Sequence, residues 1–331
     1  MVQYEVVMVS AAIDVGSNTL RMLIGSVRDD EVTRIYVDRS ITRLAEGIGN
    51  TGNLREKNME ESVSVLKGFS HAISQYRPAQ VKAVGTSALR SAQNRETFIR
   101  MAYRESGIEI EVISGMREAA LTARGVMAGF TDAPGSSLII DIGGGSTEWI
   151  IQEKSSPVPL LCGTVPMGVV NLAERFIKTD PPSKKDISSL IEEISSSLIS
   201  GRWGIPRPTP GCSPGRGTSP PAHMARLIGT GGTVTTLASL DLELRTYEHQ
   251  KVHRHHVPLS RIYRLTDMLL SLPLSKRKQI AGLEAGRADL IIPGILLTMR
   301  LMEILGFDEI SVSDYGLLEG LLKEMDHEKS F

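Results

Sequence analysis

The stretch Ala12-Ile13-Asp14-Val15-Gly16-Ser17-Asn18 returns near the middle of the chain as Ile140-Asp141-Ile142-Gly143-Gly144-Gly145-Ser146-Thr147-Glu148. In each copy an apolar run rich in β-branched residues delivers an aspartate. Small residues follow that can turn sharply and offer bare backbone N–H groups to an anion. The apolar pattern then resumes in alternation, through Leu20, Met22 and Ile24 in the first copy and Trp149 and Ile151 in the second. Both copies therefore read as β-hairpins with the aspartate at the turn. One such turn needs no function to explain it, because Asp, Gly, Ser and Asn favour turns for local reasons. Two imply a pair of related lobes facing one phosphate, with Ser17, Asn18, Gly143, Gly144, Gly145 and Ser146 as its cradle.

The chain is long enough for that plan. Its 331 residues suit two domains with substantial cores, and 41% hydrophobic residues supply them. Two cysteines exclude a disulfide framework and point to a reducing, cytoplasmic setting; Cys162 lies in an apolar stretch and Cys212 in a Pro/Gly loop, without metal-ligand spacing. Residues 1–12 carry Glu5 and no basic cluster, so they read as a strand and not as a signal peptide. The longest apolar segment, 290–305, is interrupted by Arg300 and too short to span a bilayer, so no membrane is expected. A net charge of −1 argues against non-specific nucleic-acid binding. A polyanion would have to be met by local basic residues.

Strands and helices alternate in the α/β manner. After the first hairpin and an apolar run at 32–37, Met59, Val63, Leu66 and Ile73 share one helical face. The spacing then predicts a strand at 81–84, a helix from an Asn94 cap to about Glu105 with Gly107 as its stop, a strand at 108–113 and a helix over 115–127. The loop at 132–135 divides an N-terminal lobe, 1–131, from a C-terminal lobe, 132–331, leaving the last helix free to pack back on the first lobe. The second lobe should hold the Asp141 hairpin, a strand at 158–161, helices at 169–177 and 185–200, a strand at 226–228, a mainly helical stretch to Gly306, a strand at 310–312 and a helix at 315–325. The Pro/Gly-rich segment 201–221 reads as an exposed, mobile loop.

Further residues suit phosphate chemistry. Gly229 to Thr233 lead into a helix expected from Val234, and such an N-terminus, with Gly231, Gly232 and Thr233 at it, can hold an anion through its N–H groups and dipole. Arg90 closes a Thr-Ser-Ala-Leu run and, like Arg21, can grip phosphate oxygens with two donors. Asp141 and Glu148 lie one hairpin apart and suit Mg²⁺ or Mn²⁺, with Asp14 as the symmetric third candidate. His253, His255 and His256 read as surface residues, since adjacent strand residues point to opposite faces.

Taken in order, the motifs resemble the exopolyphosphatase/guanosine pentaphosphate phosphohydrolase (Ppx/GppA) family, whose core lies in the actin-like ATPase superfamily. The resemblance runs through Ile13-Asp14-Val15-Gly16-Ser17-Asn18 with Arg21, Thr86-Ser87-Ala88-Leu89-Arg90 with Asn94, Val112-Ile113-Ser114-Gly115 with Glu118-Ala119, the 141–148 block, Met167-Gly168-Val169-Val170-Asn171-Leu172, Gly229-Thr230-Gly231-Gly232-Thr233, Arg287-Ala288-Asp289, and Val312-Ser313-Asp314 with Gly316. It implies an α/β fold of two actin-like (RNase H-like) lobes with a cleft between them, in the short form of the family. It also implies Glu118 as the catalytic base, a divalent cation, and hydrolysis of the terminal phosphoanhydride of linear polyphosphate or guanosine pentaphosphate. A homodimer stays open. Two other classes remain beside the hydrolase, an actin-fold small-molecule kinase and a non-enzymatic sensor of alarmones or polyphosphate. Two positions depart from the family pattern: Arg117 stands where a second carboxylate is usual, and Leu318 where an arginine is usual.

Overall fold

In the computed structural model, which describes residues 8–131, 135–153, 156, 158–206 and 224–328, the first repeat is a meander of three antiparallel strands. They are β1 (Val9–Val15), β2 (Thr19–Arg28) and β3 (Glu31–Ile41), with Asp14 directly opposite Arg21 and Arg21 opposite Arg39. After α1 (Ile48–Thr51) and α2 (Glu56–Tyr76), β4 (Gln80–Gly85) joins β1 in parallel. Then come α3 (Ser87–Ser91), α4 (Arg95–Ser106), β5 (Ile110–Val112) and α5 (Gly115–Ala128). The strand order is β3-β2-β1-β4-β5. β1 is apolar throughout its centre because both of its faces are covered, Ala11, Ile13 and Val15 by one core and Ala12 by another.

The second repeat follows the same plan. β6 (Ser136–Ile142), β7 (Thr147–Glu153) and β8 (Leu161–Val165) form the meander, and α6 (Val169–Phe176) and α7 (Lys184–Ile199) lead to β9 (Met224–Thr230), parallel to β6. α8 (Gly231–Asp241), α9 (His249–Val252), β10 (His256–Pro258), α10 (Leu259–Leu270), α11 (Leu274–Arg277), α12 (Ile291–Leu305) and β11 (Glu309–Val312) complete it. The sheet order, β10-β11-β9-β6-β7-β8, repeats the first and adds an edge strand. The last helix, α13 (Leu317–His327), packs on β1, β2 and α5. The two compact units are thus Met1–Ala128 with Tyr315–Phe331, and Gly129–Asp314. Among the described residues no helix is long and apolar enough to cross a membrane.

Several local expectations change. The strand expected at 158–161 starts at Leu161, because Pro159 has no N–H for the ladder and Val158 is exposed. β10, inside the stretch read as helical, is three residues long and too short for its alternation to register. The strand expected at 108–113 shrinks to β5, since Ile108 and Ile113 pack into the cores beyond the ladder. Asn94 stands at the N-cap of α4, yet its amide bonds the backbone N–H and carbonyl of Leu54 and holds that loop. In the Pro/Gly-rich segment, residues 207–223, Cys212 among them, lie outside the described residues, as does 132–134 of the expected lobe boundary. The described start of that segment is not exposed as expected: Trp203 and Ile205 are buried, and the Trp203 indole donates to Ser197. Cys162 is free and half-buried, and burial pushes its thiol pKa up.

The packing of α13 on α5 fixes where the start of α5 stands. Gly125 faces the backbone of Gly316, and Gly320 faces the backbone of Leu121, so closely that a Cβ at either site would collide with main-chain atoms. Arg117 on α5 also bonds Glu324 on α13 at 3.0 Å and Glu111 at 2.5 Å, while Lys82 joins Glu324 at 3.2 Å. Burial disfavours the Glu324 charge, and the bonds from Arg117 and Lys82 outweigh it, leaving its carboxyl below the usual range. Gly125→Ala should therefore lower stability by about 1–3 kcal/mol as the helices are forced apart. Gly68→Ala, on an open face of α2, should instead be neutral or raise it by up to ~1 kcal/mol. Urea unfolding midpoints of the two variants check the contrast.

Candidate active site

In the first unit the turn between β1 and β2 is anchored by the segment that follows β3. The Asn18 carbonyl accepts from the N–H groups of Thr42 and Arg43 at 3.1 and 3.0 Å, and the Ser17 carbonyl from Ala45 at 2.8 Å. With these carbonyls turned inward, the turn is held as a fixed shape. Asp14 is buried beneath it. Its Oδ2 accepts from Arg21 Nε at 3.0 Å and Nη2 at 2.6 Å, whereas its Oδ1 is buried and has no hydrogen-bond partner. Asn18 Oδ1 is a second buried acceptor without a donor. Two unsatisfied acceptors at one turn create a demand for a cation or a donor.

Glu118 lies in the first turn of α5, with the residue only 7% exposed. Its Oε2 accepts from Arg90 Nη1 at 2.5 Å, and the same nitrogen donates to the Ile113 carbonyl at 3.2 Å. Arg21 and Arg90, both read as phosphate ligands, thus each hold one of the carboxylates read as functional. Arg117 does not share that environment: its partners are Glu111 and Glu324. Leu318, where an arginine was usual, is buried in the apolar cluster with Leu23 and Leu121 and supplies no basic contact.

In the second unit, Asp141 and Glu148 are direct cross-strand partners on β6 and β7, so their side chains project to one face. Gly143 N–H bonds the Ser146 carbonyl at 3.0 Å and closes the turn between them. The Gly143 and Gly144 carbonyls accept from Val169 and Val170 at the start of α6, and the Gly145 carbonyl from Asn171 Nδ2. Among the described residues the amides of Gly144 and Gly145 meet no acceptor, so they are positioned to donate to an anion. Ser146 Oγ is engaged within the hairpin. It donates to Glu148 Oε1 at 2.7 Å, and Thr164 on β8 donates to the same oxygen at 2.8 Å.

The β9–α8 junction completes this half. Thr230 pairs with Asp141 in the parallel ladder, and Gly231 turns with φ +85°, where a Cβ would strike Asp141 Oδ1. Only glycine meets both conditions without strain. Gly232 and Thr233 begin α8, which has no side-chain cap, and the Arg287 guanidinium lies directly over Gly232. Arg287 also bonds Glu284 at 3.1 Å. The role of Arg287 is not legible in the sequence, because more than fifty residues separate it from the helix start it covers. Thr164 carried no sequence signal, being an ordinary edge-strand threonine.

The donor set fits a hard divalent cation. Asp141 and Glu148 of the second unit supply two carboxylates on one face. Among the described residues no three His, Cys, Asp or Glu side chains are grouped for a metal; Mg²⁺ needs only one or two carboxylates and completes its shell with water and phosphate oxygens. The histidines are engaged elsewhere. His255 pairs with Asp241 at 2.8 Å, His256 lies beside Glu309 and Ser311, and His253 accepts from the Asp314 N–H.

The sequence matches the model of the Ppx/GppA phosphatase family over residues 23–208 and 215–329. Exopolyphosphatase 2 of Mycobacterium tuberculosis is 28% identical over 325 residues, covering 94% of this chain and 96% of that protein. Guanosine-5'-triphosphate,3'-diphosphate pyrophosphatase of Vibrio vulnificus is 30% identical over 95% of this chain, which spans 59% of that longer protein. Among solved structures, the Aquifex aeolicus Ppx/GppA family member is 32% identical with a TM-score of 0.77, covering 97% of this chain and 99% of that one. An exopolyphosphatase from Cytophaga hutchinsonii is 29% identical with a TM-score of 0.83, covering 97% and 98%.

Because the Glu118 and Arg90 side chains are mostly shielded from water, the pair should be energetically coupled. Arg90→Met should cost about 1–3 kcal/mol, less than a fully buried pair because Arg90 keeps some solvent contact. Adding Glu118→Gln to Arg90→Met should recover part of that loss. Unfolding free energies of the two singles and the double, taken as a mutant cycle, check it.

Proposed function

The chain belongs to the Ppx/GppA phosphatase family, and from that premise we propose that it is a phosphoanhydride hydrolase removing the terminal phosphate of linear polyphosphate, of guanosine pentaphosphate, or of both. The observation that carries the reading is the pairing of Glu118 with Arg90: a carboxylate and a guanidinium held together, one suited to take a proton from water and the other to bear phosphoryl charge. Phosphoryl transfer asks little covalent chemistry of a protein and much positioning. Glu118 is the base that orients the attacking water. Arg90 and Arg21 stabilise charge on phosphate oxygens. The Gly144 and Gly145 amides and the α8 N-terminus at Gly232 and Thr233 donate to further oxygens, and Arg287 adds a cation there.

Asp141 and Glu148 would hold Mg²⁺ or Mn²⁺, which when bound would neutralise phosphate charge; within the first unit, Asp14 Oδ1 is an acceptor open to a cation or a donor. The hydroxyls of Ser146 and Thr164 fix one Glu148 oxygen and so set the carboxylate's direction. A net charge of −1 supports a small or linear phosphate substrate over nucleic acid. The absence of a disulfide framework among two cysteines supports a cytoplasmic setting.

Phosphate release from long-chain polyphosphate, tripolyphosphate, guanosine pentaphosphate and ATP tests the reading. Release from the first or third supports it, and a protein that binds them without releasing phosphate would be a sensor. Glu118→Gln should slow turnover by about two to four orders of magnitude while substrate binding holds or tightens, since a negative charge near the anion is lost. A single-turnover measurement beside equilibrium binding separates the two. Asp141→Asn and Glu148→Gln should each raise the Mg²⁺ concentration needed for half-maximal rate by about 10-fold or more, read from metal titrations at fixed substrate.

A further inference from the structure

We propose that Arg39 binds a phosphate of a linear polyphosphate beyond the unit being cleaved, making the outer strand of the first sheet a tail subsite that separates a chain from a short phosphate. The proposal rests on the hydrolase reading above. Three residues lie in one row across three strands, Asp14 on β1, Arg21 opposite it on β2 and Arg39 opposite Arg21 on β3. Directly paired residues project to the same face, and neighbouring strands stand about 4.8 Å apart. The row therefore steps outward from a buried acid through a half-exposed arginine to an exposed one.

The covering of this face agrees. Ala12, Leu23 and Val84 lie beneath the cluster formed with Leu121, Leu317 and Leu321, whereas Val37 and Arg39 at the end of β3 stay exposed. Asp14 takes two donors of Arg21, so Arg21 is fixed in direction and marks where the row begins. Asp38, the acid next to Arg39, belongs to the opposite face, where its carboxylate meets the Tyr36 hydroxyl at 3.3 Å. A planar guanidinium at this place can meet two oxygens of one phosphate, which a single ammonium point charge does less well. An exposed charge on an edge strand has another use, preventing strand-to-strand aggregation. The two uses differ in what they do to substrates of different length.

The test compares wild type with Arg39→Gln and Arg39→Lys on long-chain polyphosphate and tripolyphosphate. The expected result for Arg39→Gln is a rise of about two- to fivefold in the ratio of the long-chain KM to the tripolyphosphate KM, the size of one solvent-exposed charge contact. Arg39→Lys should give a smaller rise. Near 1 M salt, where screening acts over about 3 Å, the rise should disappear. An unchanged ratio, equal movement of both KM values, or aggregation as the sole effect overturns the subsite. If wild type hydrolyses neither substrate, the hydrolase reading fails instead. Equilibrium binding of long-chain polyphosphate to wild type and Arg39→Gln then decides the subsite by the same ratio.

Discussion

Four of the buried carboxylates stand at the turns and helix start of the candidate site and constrain this molecule: Asp14, Glu118, Asp141 and Glu148. An ionised carboxylate out of water is costly unless charge or hydrogen bonds replace its hydration, and Asp14, Glu118 and Glu148 are each compensated in a different way. Asp14 takes two donors of Arg21 on one oxygen and leaves the other without a partner. Glu118 takes Arg90. Glu148 takes two neutral hydroxyls on one oxygen, from Ser146 and Thr164. Asp141 lies against a glycine with no Cβ to displace it. Groups held this way need little reorganisation when charge develops nearby, which is the usual source of electrostatic catalysis.

The backbone is arranged for the same end. Both hairpin turns use carbonyls for internal anchoring: Ser17 and Asn18 bond residues 42–45, and Gly143 to Gly145 bond the start of α6. The helix that carries Glu118 in its first turn is set by a return of the chain, since α13 packs against α5 through main-chain contacts at Gly125 and Gly320. Arg117 reinforces that contact from the side through Glu324 and Glu111. In place of a second acid beside Glu118, this chain therefore has a tie between two helices. Leu318 similarly replaces an expected cation with apolar packing.

The repeat itself was legible because strand alternation, turn residues and an aspartate recur together, and each signal is local. Both meanders, their parallel strands and most helices follow from that periodicity. The glycine at 231 was legible as part of a helix start, though not the reason it must be glycine, which depends on Asp141 arriving from another strand. Arg90 and Arg21 were legible as cations suited to phosphate, yet nothing in their neighbourhoods said that Glu118 and Asp14 would be their partners. Ser146 was read as a phosphate donor, and its bond to Glu148 was not legible, because it depends on the turn bringing the two side chains together.

What the sequence alone determined is the set of elements and the kinds of chemistry at their ends: periodicity of two and of 3.6, turns where small polar residues cluster, and carboxylates delivered at strand ends. Tertiary structure decided the pairings. Which guanidinium meets which carboxylate, that Arg287 covers Gly232, that Thr164 supports Glu148 and that Arg39 stands in line with Arg21 all depend on strand register and helix packing between distant segments. Those are set by the burial of apolar faces, and the polar side chains take the partners that this packing places within reach.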